Sequence, residues 1–172
     1  MPHIPNKPKI KVGKISQIGI VTKNVDNAVK RYWETLGIGP WKIHRYEPPN
    51  LRDTKLRGVP AKYSMKIALA KVGSIELELI EPLKGPNLYE EFLAKRGEGF
   101  HHIAKYQKGD LKKELDAFEA MGIKVLMSGK CKGVEFYYLD TEPILGIIYE
   151  LVRIGKGGVI PPVAVYPPAE LR

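Results

Sequence analysis

Four side chains able to hold a divalent cation stand at matched places along the chain: Gln17, Glu78, His102 and Glu150. Each lies in a short segment whose composition reads as a β-strand. In Ile15 to Val21, Gln17 and Gly19 share one face while Ile18 and Ile20 share the other. Glu78 falls within Ser74 to Glu81, His102 within His101 to Gln107, and Glu150 within Ile144 to Val152. One imidazole nitrogen and three oxygens form a mixed donor set that suits Mn, Fe, Co, Ni or Zn and offers nothing to a thiolate-preferring ion. Taken singly, each residue has a simpler reading, because polar side chains on one face of an antiparallel strand usually meet water. Glu76 and Glu78 share a face, so that reading applies to Glu78 in particular. Glu150, set among Ile147, Ile148, Tyr149, Leu151 and Val152, is harder to explain by solvation, since a charge in so apolar a strand requires a partner.

The elements that would position these residues occur in the same order twice. A first strand feeds an amphipathic helix over 24–36, with Val25, Ala28, Val29, Tyr32, Trp33 and Leu36 at helical spacing, Asn24 as N-cap and Gly37 as the stop. Strands follow over 41–47, 63–72 and 74–81, with a loop rich in proline and glycine after the first of them and a hairpin turn at Gly73. The second half opens with the strand 101–107, continues with a helix over 110–121 ending at Gly122, and adds strands over 123–127, 135–139 and 144–152. Two copies of β-α-β-β-β suggest internal duplication and an α+β fold. The resulting division is an N-terminal extension 1–14, a first module 15–82, a linker 83–100 with a short helix, a second module 101–153, and a tail 154–172 outside both modules. If each module curls into a partial barrel, the four donors converge in one cleft. Tyr137 and Tyr138 alternate faces, and Tyr138 is the one taken to look into the cleft and donate to a substrate oxygen; His101 is expected to point away from His102.

Composition limits the function classes. A chain of 172 residues is long enough to bury a core. No apolar run reaches the roughly 20 residues that span a bilayer, so no membrane partner is expected. The formal charge of +9 is spread along the sequence without an aromatic-interleaved basic tract, which argues against nucleic acid and leaves a lysine-coated surface or an anionic small-molecule substrate. The first fourteen residues lack the apolar centre of a secretory signal, and the single cysteine, Cys131, has no internal disulfide partner. A cytoplasmic protein is the expectation.

The stretches ISQIGIVTKNVDNAVKRYWETLGIGPW, IELELIEPL, GEGFHHIAKY and LDTEPILGIIYELV resemble the vicinal oxygen chelate superfamily of glyoxalase I, bleomycin-resistance proteins and extradiol dioxygenases, and within it the methylmalonyl-CoA epimerases. The resemblance runs over most of residues 15–153. It implies two βαβββ modules around a metal cleft, with Gln17, Glu78, His102 and Glu150 as ligands, although the epimerases usually carry histidine where this chain has Gln17. It also implies a catalytic glutamate near the end of the second strand, which places Glu47 in that role, and an enolate-like intermediate stabilised by a divalent metal ion. The implied activity is epimerisation or isomerisation next to a carbonyl, with an acyl-CoA thioester or similar carbon acid as substrate and a homodimer as the assembly. A lyase or ring-cleaving dioxygenase on the same fold is the second reading; such dioxygenases usually hold Fe(II) with two histidines, and His102 alone occupies such a position. A metal-free binding protein of the resistance type is the third, supported by Gln17.

Overall fold

The computed structural model describes residues 7, 8 and 10–171, so part of the N-terminal extension lies outside the described residues. Its β-strands are β1 (Gln17–Val21), β2 (Trp41–Tyr46), β3 (Leu51–Leu56), β4 (Val59–Pro60), β5 (Ser64–Val72), β6 (Ile75–Lys84), β7 (Gly99–Gln107), β8 (Val125–Cys131), β9 (Val134–Leu139), β10 (Ile148–Ile154) and β11 (Ala164–Tyr166). Its helices are α1 (Val25–Leu36), α2 (Leu88–Arg96), α3 (Lys112–Glu119) and α4 (Glu142–Leu145). Among the described residues no helix is long and apolar enough to cross a membrane.

The strands form one curled mixed sheet in the order β11-β2-β5-β6-β1-β7-β10-β9-β8-β3-β4, an α+β architecture. Its centre is the antiparallel pair β1 and β7, with Ile18 opposite Ile103. On either side of that pair the halves mirror each other: β1 runs parallel to β6, and β7 runs parallel to β10. The repeated order read from the sequence is thus a repeated topology about the Ile18–Ile103 contact.

Local chemistry accounts for the elements. Asn24 is extended and its side chain accepts a hydrogen bond from the backbone N–H of Asn27, while Gly37 at φ 65° closes α1 in the left-handed conformation that glycine adopts without strain. A Glu81 carboxylate oxygen accepts from the Val25 N–H at 2.8 Å, placing an anion at the positive end of α1. Val25, Ala28 and Val29 of α1 are buried against Trp41, Ile43, Ala68, Ala70 and Leu79 on the outer face of the first half. Leu111 and Phe118 bury against Leu139, Tyr149 and Leu151 on the second. Each fully buried side chain of this size contributes about 1.5–3 kcal/mol. With the helices covering the outer faces, the inner faces are left to line a cavity.

Two segments differ from the sequence reading. The loop after β2 contains β3 and β4, and β3 pairs with β8 of the second half. Its alternation is masked because the strand presents Arg52, Asp53 and Lys55 to solvent and is broken by a register shift between Arg52 and Lys55, with Asp53 at φ 53°. The tail, read as lying outside the modules, returns to the first half: β11 pairs antiparallel with β2, and Gly133 exchanges hydrogen bonds with Gly155 and Gly158. Each half therefore receives an edge strand from the other. The strand expected over 144–152 begins later, at Ile148, because Thr141 to Gly146 forms a single helical turn ending at Gly146 with φ 72°.

Candidate metal centre

Strand register brings the polar residues together in two neighbouring rows. In one, Glu78 of β6 sits opposite Gly19 of β1, and Gly19 sits opposite His102 of β7. In the other, Gln17 sits opposite Ala104, and Ala104 sits opposite Glu150 of β10. A small residue thus lies between the members of each pair. The need for it is plainest at Gly19, where a β-carbon would fall 1.9 Å from Cε1 of His102. The imidazole rests on the bare backbone of β1, an approach that only glycine permits.

Glu78, His102 and Glu150 each offer a donor atom, and these atoms lie within 4.8 Å of one another. His102 Nε2 is 3.1 Å from a Glu150 oxygen and 3.4 Å from a Glu78 oxygen. All three side chains are buried. Yet His102 Nε2 and that same Glu150 oxygen find no hydrogen bond of acceptable geometry among the described residues. Charged groups this close and this buried, without a well-aimed hydrogen bond between them, suit a cation held at their centre. The nitrogen and carboxylate donors therefore fit a divalent metal of the borderline class. Gln17, itself buried, lines the same cavity as Glu78 and Glu150.

The electrostatics follow from burial. Desolvation raises the Glu78 carboxyl to about 7 against the opposing pull of His102. For His102 desolvation acts downward, but the charges of Glu150 and Glu78 outweigh it and the imidazole is raised to about 9. Burial and the neighbouring His102 hold His101 well below the ordinary histidine range. Without a metal, then, a proton is the cation that the carboxylates hold.

The cavity around these groups measures about 690 Å³. Its walls are apolar, from Met65, Ile67 and Leu69 on β5 to Phe136, Val152 and Ile154 on β9 and β10. Lys42 and Lys71 line it from the first half, and the tail closes it with Val159, Ile160, Pro161 and Pro162. The buried ring of His44 meets the backbone of Ile160 and Pro161 and helps hold that segment. Tyr138 also lines the cavity; its hydroxyl is 2.8 Å from that of Tyr89, and burial raises both phenols well above their ordinary values, keeping them neutral hydrogen-bonding groups. Glu76, on the same face as Glu78, accepts from the Tyr106 hydroxyl at 2.6 Å.

Glu47 is placed elsewhere. It pairs with Arg45 at 3.1 Å and lines, with Arg52 and Lys132, a second depression that meets the cavity at Ile160 and Pro161. Its hydrogen bond from Arg45 holds its carboxyl below the usual range, which suits an ion pair and not a base. His101 also departs from expectation. The β1–β7 register slips between Gly19, opposite His102, and Ile20, opposite Phe100, and both histidine rings are buried and in contact. Sequence reasoning missed Gly19 and Ala104, whose signal was a small residue inside an otherwise branched strand, and it missed the tail, whose signal was the apolar run Val159 to Val165.

A model of the glyoxalase/bleomycin resistance protein/dioxygenase superfamily matches residues 16–138. The uncharacterized protein YqjC of Bacillus subtilis is 26% identical over 143 residues, 81% of this chain and 91% of that protein. A hypothetical protein of Bacillus halodurans has a similar structure, with a TM-score of 0.62 at 24% identity over 81% of this chain and 93% of its own. A Streptomyces coelicolor methylmalonyl-CoA epimerase variant in complex with 2-nitronate-propionyl-CoA is similar at a TM-score of 0.57 and 25% identity, covering 81% of this chain and 95% of that one.

Proposed function

Because the chain belongs to the glyoxalase/bleomycin resistance protein/dioxygenase superfamily, we propose that it is a metal-dependent isomerase or epimerase that removes a proton next to a carbonyl, acting on an acyl-CoA thioester or a similar carbon acid. The observation that carries this reading is the buried Glu78, His102 and Glu150 cluster, whose donor atoms lie within 4.8 Å of one another beside a cavity of substrate size. Gln17, Glu78, His102 and Glu150 are the proposed ligands of a Co, Mn, Ni, Zn or Fe ion. When bound, such an ion acts as a Lewis acid on a substrate carbonyl, favouring loss of the adjacent proton.

The chain's own residues supply the rest. Glu47, the proposed proton acceptor, lines a depression that adjoins the cavity at Ile160 and Pro161 and is held there by Arg45, so that role requires the ion pair with Arg45 to open. The paired Tyr138 and Tyr89 hydroxyls offer a neutral donor to a substrate oxygen. The apolar walls exclude water from the reacting carbon. Lys42 and Lys71 supply positive charge for an anionic substrate, and the complex of the Streptomyces coelicolor relative with an acyl-CoA analogue supports a CoA thioester.

The test is solvent deuterium exchange followed by NMR on a panel of acyl-CoA thioesters and α-substituted ketones, with and without Mn, Co, Ni and Zn. Metal-dependent uptake at the carbon next to the carbonyl is expected. Failure across the panel with metal bound would transfer the assignment to a lyase or dioxygenase of the same fold.

A further inference from the structure

The slip in register between β1 and β7 leaves His101 as the extra residue of a β-bulge, between Phe100 opposite Ile20 and His102 opposite Gly19. In a regular strand the two histidines would point to opposite faces. Here their Nδ1 atoms are 3.0 Å apart. The His101 ring is buried among the rings of Tyr89, Phe92 and Tyr138, and its Nε2 has no hydrogen-bond partner among the described residues. Two imidazole nitrogens at this distance hold one proton between them, with one ring donating and the other accepting.

Which ring donates decides what His102 presents to the carboxylates. If His101 donated, the proton of neutral His102 would reside on Nε2 and would fill the space between Glu78 and Glu150. If His101 accepts, His102 carries its proton on Nδ1 and turns a bare Nε2 lone pair toward that space. A metal ligated by Nε2 requires the second arrangement, and imidazole ligands commonly depend on a partner for the other nitrogen. We infer that His101 is a positioning residue: its Nδ1 accepts the Nδ1–H of His102, fixing the ring orientation and tautomer that leave Nε2 free for a divalent cation. The bulge is the backbone device that makes this possible, since it delivers two consecutive histidines to one interior. The inference rests on the metal reading of the preceding section.

The experiment titrates Co(II) and Zn(II) alone into metal-free wild type, His101→Phe and His101→Asn. Phenylalanine keeps a ring of similar size without an acceptor, whereas asparagine restores an acceptor oxygen. Circular dichroism and thermal melting establish that each variant is folded. The dissociation constant should rise about 10- to 100-fold in the phenylalanine variant and recover most of the way in the asparagine variant. Nitrogen-15 NMR of the zinc-loaded wild type should place the His102 proton on Nδ1 and leave Nδ1 of His101 bare. Equal affinity in wild type and His101→Phe, equal weakness of both variants, or a zinc-loaded His102 protonated on Nε2 would overturn the inference, and the NMR measurement stands even if a variant fails to fold. Wild type that binds neither ion overturns the metal reading itself, a result distinct from the others.

Discussion

The imidazole of His102 lies against the main chain of Gly19, with room for a hydrogen atom and not for a methyl group. Gly19→Ala should therefore displace the ring. We expect about 1–3 kcal/mol of destabilisation from the forced overpacking, together with a metal affinity reduced at least as much as by the loss of a weak ligand. Thermal melts and Co(II) titration measure the two effects. A variant that binds Co(II) as wild type does would show that the ring position is not what the site requires.

The pH dependence of the metal-free protein has a defined sign. The folded pKa of His102, about 9, is above the ordinary 6.5, so its contribution is complete below 6.5 and lost as pH rises through 9. Glu78, raised from 4.5 to about 7, acts in the same direction at lower pH, because the folded form holds the proton more tightly. Chemical denaturation should show metal-free stability falling as pH rises from about 5 to about 9. A divalent cation takes the place of the proton, and saturating Zn(II) should flatten or reverse this slope.

His102→Ala should abolish stoichiometric metal binding and leave a folded protein, since the ring is a ligand on a scaffold that the surrounding sheet maintains. Metal content and circular dichroism decide this. Loss of the folded state instead would identify His102 as a core residue.

Gln17 distinguishes an enzyme from a binding protein. Gln17→His should keep or tighten Zn(II) and Co(II) binding, because imidazole suits both ions, and Gln17→Ala should weaken it. If neither change alters metal content and the wild type holds no stoichiometric metal, the chain is a binding protein of the resistance type.

The tail can be released without touching the centre. A β-carbon at Gly133 would fall 2.4 Å from the Gly158 nitrogen, so Gly133→Val should undock residues 155–162 while leaving Glu78, His102 and Glu150 in place. Limited proteolysis should then cut within that segment, and hydrogen exchange there should accelerate. Unchanged protection would mean that the tail is held by its pairing with β2 alone.

The parts of this molecule that were legible in the sequence are those governed by short-range rules. Asn24 and Gly37 bounded α1 because capping is local, and the repeated strand-helix order anticipated the repeated topology because periodicity survives without contacts. The four polar positions could be nominated because they recur at matched places in the two halves, and Glu150 in addition breaks an apolar strand. What escaped depended on pairing between distant segments. The side on which His101 falls depends on a register slip against Ile20, and the tail's place depends on the edge of β2. Neither of these leaves a mark within the few residues around the position concerned.

The exchange of edge strands bears on how such a chain can be divided. A fragment ending in the linker after α2 would retain β3 without β8 to receive it and would leave β2 without β11, while the complementary fragment would carry β11 and lack the strand it covers. Each piece would expose unpaired edges of the kind that promote association between chains. In the whole chain the outermost strands are instead β4 and β11, of two and three residues, too short to template much pairing. The halves are copies in topology but hostages in folding, and the chain should unfold in a single cooperative transition.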